Sequence, residues 1–66
     1  MIYKLREIRK ARGMTQEALS QAAMINRVNI AKYESGKSAP SLKSVVKLAQ
    51  ALSVTVDELI DERKAG

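Results

Sequence analysis

Apolar residues in this chain recur at three- and four-residue spacing, and glycines or small polar residues interrupt them at short intervals. The spacing predicts amphipathic helices, and the interruptions divide the chain into five. A first helix over 2–12 puts Leu5 and Ile8 on one face with Arg9 and Arg12. Gly13 ends it, because glycine enters the left-handed conformation without a Cβ penalty. Thr15 caps a second helix, Gln16 to Ala23, with Leu19 and Ala23 as its seam and Ser20 and Ala22 small enough to admit a neighbour. Asn26 caps a third, Arg27 to Ser35. Ser41 caps a fourth, Leu42 to Leu52, which carries the strongest apolar stripe: Leu42, Val45, Leu48, Ala49 and Leu52. Thr55-Val56-Asp57-Glu58 is a capping box opening a fifth helix, whose apolar face is Val56, Leu59 and Ile60. The pattern predicts a compact all-α bundle: one domain over 1–66, with its core within 3–61 and a tail over 62–66.

The third helix differs from the others. At 100° per residue, Arg27, Val28, Ala31, Lys32 and Ser35 fall within one arc of about 140°. Ile30, Tyr33 and Glu34 are placed on the other side, with Ile30 and Tyr33 toward the core. The outward face is then basic, with small apolar groups between the charges.

Charge reinforces that picture. The 66 residues hold 12 Lys and Arg against 7 Asp and Glu, a net charge of +5. Residues 1–47 contain 10 bases and 3 acids, and residues 48–66 contain 2 bases and 4 acids. A cationic region followed by a mildly acidic end suits a polyanionic partner such as nucleic acid. The absence of Cys and His removes disulfides, thiolate metal sites and the commonest general base. No cofactor or metal is expected, and helix packing, with dimerisation, is left to stabilise so short a chain. No apolar run approaches the ~18–20 residues of a membrane span. Met1-Ile2-Tyr3-Lys4-Leu5-Arg6 lacks a signal-peptide core, so a cytoplasmic protein is expected. The clustered acids, Asp57-Glu58 and Asp61-Glu62, read as capping and a solvated helix end, which argues against an enzyme. With only Tyr3 and Tyr33 as aromatics, single-strand binding by base stacking is poorly supported.

The residues together resemble the Cro and lambda-repressor type of helix-turn-helix domain, also called XRE-like. The resemblance rests on Leu5-Arg6, Arg9, Gly13-Met14-Thr15-Gln16-Glu17, Leu19, Ile25-Asn26-Arg27, Ile30, Tyr33-Glu34, Gly36-Lys37, Pro40-Ser41-Leu42, Leu48-Ala49-Gln50-Ala51-Leu52 and Val54-Thr55-Val56-Asp57-Glu58-Leu59. It implies five helices, with the third in the DNA major groove and the second crossing the backbone. Met24 departs from it, standing where the family usually has a left-handed Gly. Met there implies a cost of ~1 kcal/mol or a different turn.

The resemblance assigns roles. Arg27, at the start of the third helix, is the first candidate for base contact, since a guanidinium can donate twice to O6 and N7 of guanine. Val28 and Ala31 suit thymine methyls, and Ala31 reads equally as a small residue permitting close approach. Lys32, one turn on, can reach a base or a phosphate. Phosphate contacts are expected from Gln16, Asn29, Ser35, Lys37, Ser38 and, more weakly, Lys43. Gln16 would also brace the start of the recognition helix. Arg9 and Glu34 resemble a structural ion pair that holds this helix without touching DNA.

The partner expected is double-stranded DNA, bound as a homodimer by a transcriptional regulator, a repressor. Val56 and Ile60 are interface candidates and equally core candidates. An antitoxin or protein-interaction module of the same fold is the alternative, and salt-dependent DNA binding discriminates between them.

Overall fold

The computed structural model describes residues 4–60. Its helices are α1 (Leu5–Ala11), α2 (Gln16–Ala23), α3 (Arg27–Ser35), α4 (Leu42–Leu52) and α5 (Val56–Leu59). Tyr3, Asp61-Glu62, the 62–66 tail and the outer limits of the expected core lie outside the described residues.

Local chemistry sets the helix starts. Thr15 accepts from the Ala18 amide at 3.0 Å, Asn26 from Val28 at 2.8 Å and Ser41 from Ser44 at 3.2 Å. Thr55 accepts from Glu58 at 3.1 Å, and the Glu58 carboxylate accepts the Thr55 amide at 2.8 Å, completing the capping box. Each bond satisfies a donor that the helix cannot pair internally. The start of α1 differs from the expected residue 2. Lys4 is its N-cap, and the Lys4 amide donates to the Leu59 carbonyl at 3.2 Å, so α5 fixes where α1 begins.

A left-handed residue follows each of the first four helices: Gly13, Met24, Gly36 and Ser53 all have positive φ. Met24 therefore takes the conformation usual for glycine, with φ 58° and ψ 46°. The turn holds because Ser20 clamps it. Its carbonyl accepts the Met24 and Ile25 amides, and its hydroxyl donates to the Ile25 carbonyl at 2.6 Å. The Met24 side chain is 82% exposed, so little packing opposes its removal. Met24→Gly is expected to raise stability by ~0.5–1 kcal/mol, relief of strain outweighing the extra freedom of the unfolded chain. Chemical denaturation checks this, and a loss of stability would mean that the thioether packs in solution.

The core gathers one or more residues from every helix: Leu5, Leu19, Ala23, Ile30, Val45, Leu48, Ala49, Leu52 and Leu59. α2 packs on α4 and α3, α5 on α4, and α1 on α3. Leu42 is a correction to the expected stripe, at 75% exposed. It is the first residue of α4, and helical side chains lean toward the N-terminus, so its own hangs beyond the helix end. Ala22, expected to admit a neighbouring helix, is also exposed.

Candidate nucleic-acid interface

Ile30, fully buried, fixes the rotation of α3, and Tyr33 packs partly buried beside the same core. The opposite face is thereby turned outward. Arg27, Asn29, Lys32 and Ser35 are exposed, Val28 is 55% exposed, and Ala31 is half-buried between them. Asn26 spends its side-chain oxygen on the Val28 amide, and the Ser35 hydroxyl donates to the Lys32 carbonyl at 3.2 Å. Gly36 then ends the helix, with its amide on the Lys32 and Tyr33 carbonyls. Lys37 and Ser38 follow, exposed in the turn, and Lys43 is exposed on the first turn of α4. Arg27 and Lys32 have no carboxylate partner among the described residues. Val56 and Ile60 are half-buried and pack against the core.

Beneath this face, α1, α2 and α3 converge on one carboxylate. Arg9 Nε donates to Glu34 Oε2 at 2.6 Å and Arg9 Nη2 to Glu34 Oε1 at 3.2 Å. The third guanidinium nitrogen, Nη1, donates to the Met14 carbonyl at 2.7 Å. Gln16 Nε2 donates to Glu34 Oε1 at 3.0 Å. The Arg9 and Glu34 side chains are only 9% and 5% exposed, and no buried side-chain polar atom among the described residues lacks a partner. Burial and hydrogen bonding are thus matched, as a desolvated pair requires. Gln16, expected to brace the start of α3, instead bonds Glu34 near the end of that helix, because α2 crosses α3 there and Glu34 is turned inward, away from the outward arc.

Burial alone would raise the Glu34 pKa. The hydrogen bonds from Arg9 and Gln16, with the positive charges of Arg9 and Arg6, outweigh it and hold the carboxyl below its ordinary value of 4.5. The Glu58 carboxyl is lowered too, by its hydrogen bonds to the Thr55 backbone and side chain. A depressed folded-state pKa adds stability above the unfolded-state value, and that stability disappears as pH falls through the folded-state value. Thermal stability is therefore expected to be level near neutrality and to fall below about pH 4.5, the ordinary carboxyl value. Calorimetry in Glu58→Gln, which strands no buried charge, should show a weaker acid-side dependence, and an unchanged dependence would contradict this origin for its share.

The helix-turn-helix family model matches residues 5–59. The chain is 39% identical over 57 residues to the HTH-type transcriptional activator BcrR of Enterococcus faecalis, covering 86% of this chain and 28% of that protein. It is 38% identical over 56 residues to the cryptic phage CTXphi transcriptional repressor RstR of Vibrio cholerae, covering 85% of this chain and 50% of that one. The chain thus spans half or less of the length of these two relatives. Its structure matches the restriction-modification controller protein C.AhdI from Aeromonas hydrophila with a TM-score of 0.82 and 36% identity, over 83% of each chain. It also matches a chain of the SinR–SinI complex with a TM-score of 0.89 and 25% identity, over 98% of this chain and 65% of that one. With the family pattern spread over all five helices, this chain belongs to the Cro and lambda-repressor type of helix-turn-helix family.

Proposed function

We propose that this chain binds duplex DNA sequence-specifically, with α3 in the major groove, and acts in transcriptional regulation as a repressor. One observation carries the reading: α3 is locked inward by Ile30 while its basic face stands free of any partner among the described residues. A major groove admits a helix, and Arg27 at its start suits guanine O6 and N7. Val28 and Ala31 suit thymine methyls, and Lys32 a further base. Asn29, Ser35, Lys37, Ser38 and Lys43 border this face as phosphate ligands, and Gln16 serves the same purpose at the start of α2, where first-turn amides favour an anion. The relatives named as a transcriptional activator, a repressor and a controller protein support a regulatory role. Those names include both an activator and a repressor, so they support regulation, and repression is the sign we propose. No helix among the described residues is long and apolar enough to cross a membrane. A cytoplasmic location belongs to the proposed reading, as the compartment in which a bacterial-type regulator meets duplex DNA.

Binding to a duplex selected from a random pool tests the reading. With ~4–6 phosphates neutralised, log K should fall against log salt with a slope of about −4 to −5. Lys37→Ala should weaken binding to selected and random duplexes alike and flatten the slope by about one. The absence of a salt slope would instead favour a protein-interaction module.

A homodimer completes the reading. Val56 and Ile60 keep part of their apolar surface outside the core, and a two-fold pair through α5 suits half-sites about 34 Å apart. Sedimentation showing a monomer at high concentration, with single half-sites bound, would remove the pairing.

A further inference from the structure

We propose that Glu34 is a positioning residue for DNA binding, acting through Gln16, and that Gln16 Nε2 bridges the Glu34 carboxylate and a DNA phosphate. The inference rests on the reading above, and deepens it by assigning part of the contact to a residue that never meets DNA. A carboxylate only accepts hydrogen bonds, so the side of the Gln16 amide facing Glu34 must be nitrogen. The 3.0 Å bond therefore fixes which way the amide points.

Nε2 carries two protons. One is spent on Glu34, and Gln16 donates its second to no partner among the described residues. Gln16 is partly exposed whereas the Glu34 side chain is 5% exposed, which leaves the second N–H available to a ligand arriving from solvent. Two anions brought to one amide group would repel each other. Arg9 offsets this, with two donors on Glu34 and a third on the Met14 carbonyl that keeps the guanidinium in place. The geometry ties the phosphate donor of α2 to the carboxylate of α3, so the spacing between backbone contact and reading face is set inside the protein before DNA arrives. Preorganisation of this kind removes an ordering cost from binding.

The test separates positioning from support of the fold. Replacing a buried ion pair by apolar residues of similar size often leaves stability intact. Arg9→Met combined with Glu34→Leu therefore removes the acceptor for Gln16 while preserving packing. Affinity for a selected duplex is measured for the full chain, this double variant, Gln16→Ala, and all three changes together, with folding checked by circular dichroism. Gln16→Ala should lose about tenfold in affinity with the salt slope unchanged, since a neutral amide releases no counterion. The double variant should lose most of the same factor, and adding Gln16→Ala to it should cost little more. Multiplying losses, or an unaffected folded double variant, overturn the positioning role. If the double variant does not fold, amide spectra of the parent chain decide. One Gln16 Nε2 proton should exchange slowly in the free protein, and the other should shift when duplex is added. Failure of either observation overturns the bridge. A parent chain that binds no duplex overturns the DNA reading itself, an outcome distinct from binding with independent losses.

Discussion

Arg9→Met is expected to cost about 3–5 kcal/mol of folding stability, the usual penalty for leaving one partner of a buried pair uncompensated. A domain of 66 residues has roughly 3–10 kcal/mol in total, at ~0.05–0.15 kcal/mol per residue, so the variant should be largely unfolded or close to it. The magnitude follows from burial. With side chains 9% and 5% exposed, solvent screens the pair poorly, and the small values typical of surface ion pairs do not apply. Three bonds are lost together: both contacts to Glu34 and the one to the Met14 carbonyl. The stranded Glu34 would keep only Gln16 as a side-chain donor. Urea unfolding followed by circular dichroism measures the loss. A value below ~1 kcal/mol would mean that water reaches the pair in solution and that α1 does not hold α3 in place.

Arg27→Ala is expected to reduce discrimination at one base pair by ~1–3 kcal/mol, or roughly fivefold to 150-fold in relative affinity. Folding should be nearly unchanged, because Arg27 is exposed and has no protein partner among the described residues. Competition between the selected duplex and single-base variants of it measures the effect. The loss should concentrate at one G·C pair, with affinity for random duplexes falling much less. A uniform loss on every sequence would make Arg27 a phosphate ligand and would move base reading to Lys32 and Val28.

Much of the fold was legible because it is encoded locally. The limits of α2, α3 and α4 follow from apolar spacing bounded by Thr15, Asn26, Gly36 and Ser41, and those limits are observed. Legibility failed where distant groups decide. The start of α1 depends on a bond from Lys4 to Leu59, across nearly the whole described chain. Leu42 satisfies the helical spacing of a core residue, yet its place at the first turn of α4 leaves it outside. Ser20 looked like a small packing residue, whereas its hydroxyl and carbonyl secure the turn that Met24 strains. Ser53, a second non-glycine left-handed residue, gives no compositional sign of that conformation.

The interface divides in the same way. The outward arc of α3 could be drawn from periodicity, since one large inward residue, Ile30, sets the rotation. The network below it could not. Arg9, Gln16 and Glu34 lie far apart in sequence, and only the family resemblance linked Arg9 to Glu34. The bond from Gln16 to Glu34 has no local signal, because it arises from how α2 and α3 cross rather than from either helix alone.

The face of α3 that meets DNA, and the groove it enters, can be tested together by methylation interference on the selected duplex. Methyl groups on guanine N7 obstruct the major groove, and those on adenine N3 the minor groove. N7 methylation is expected to block binding by the parent chain, and Arg27→Ala to become indifferent to it at one guanine. Interference confined to adenine N3, or an N7 pattern that Arg27→Ala leaves untouched, would contradict this expectation.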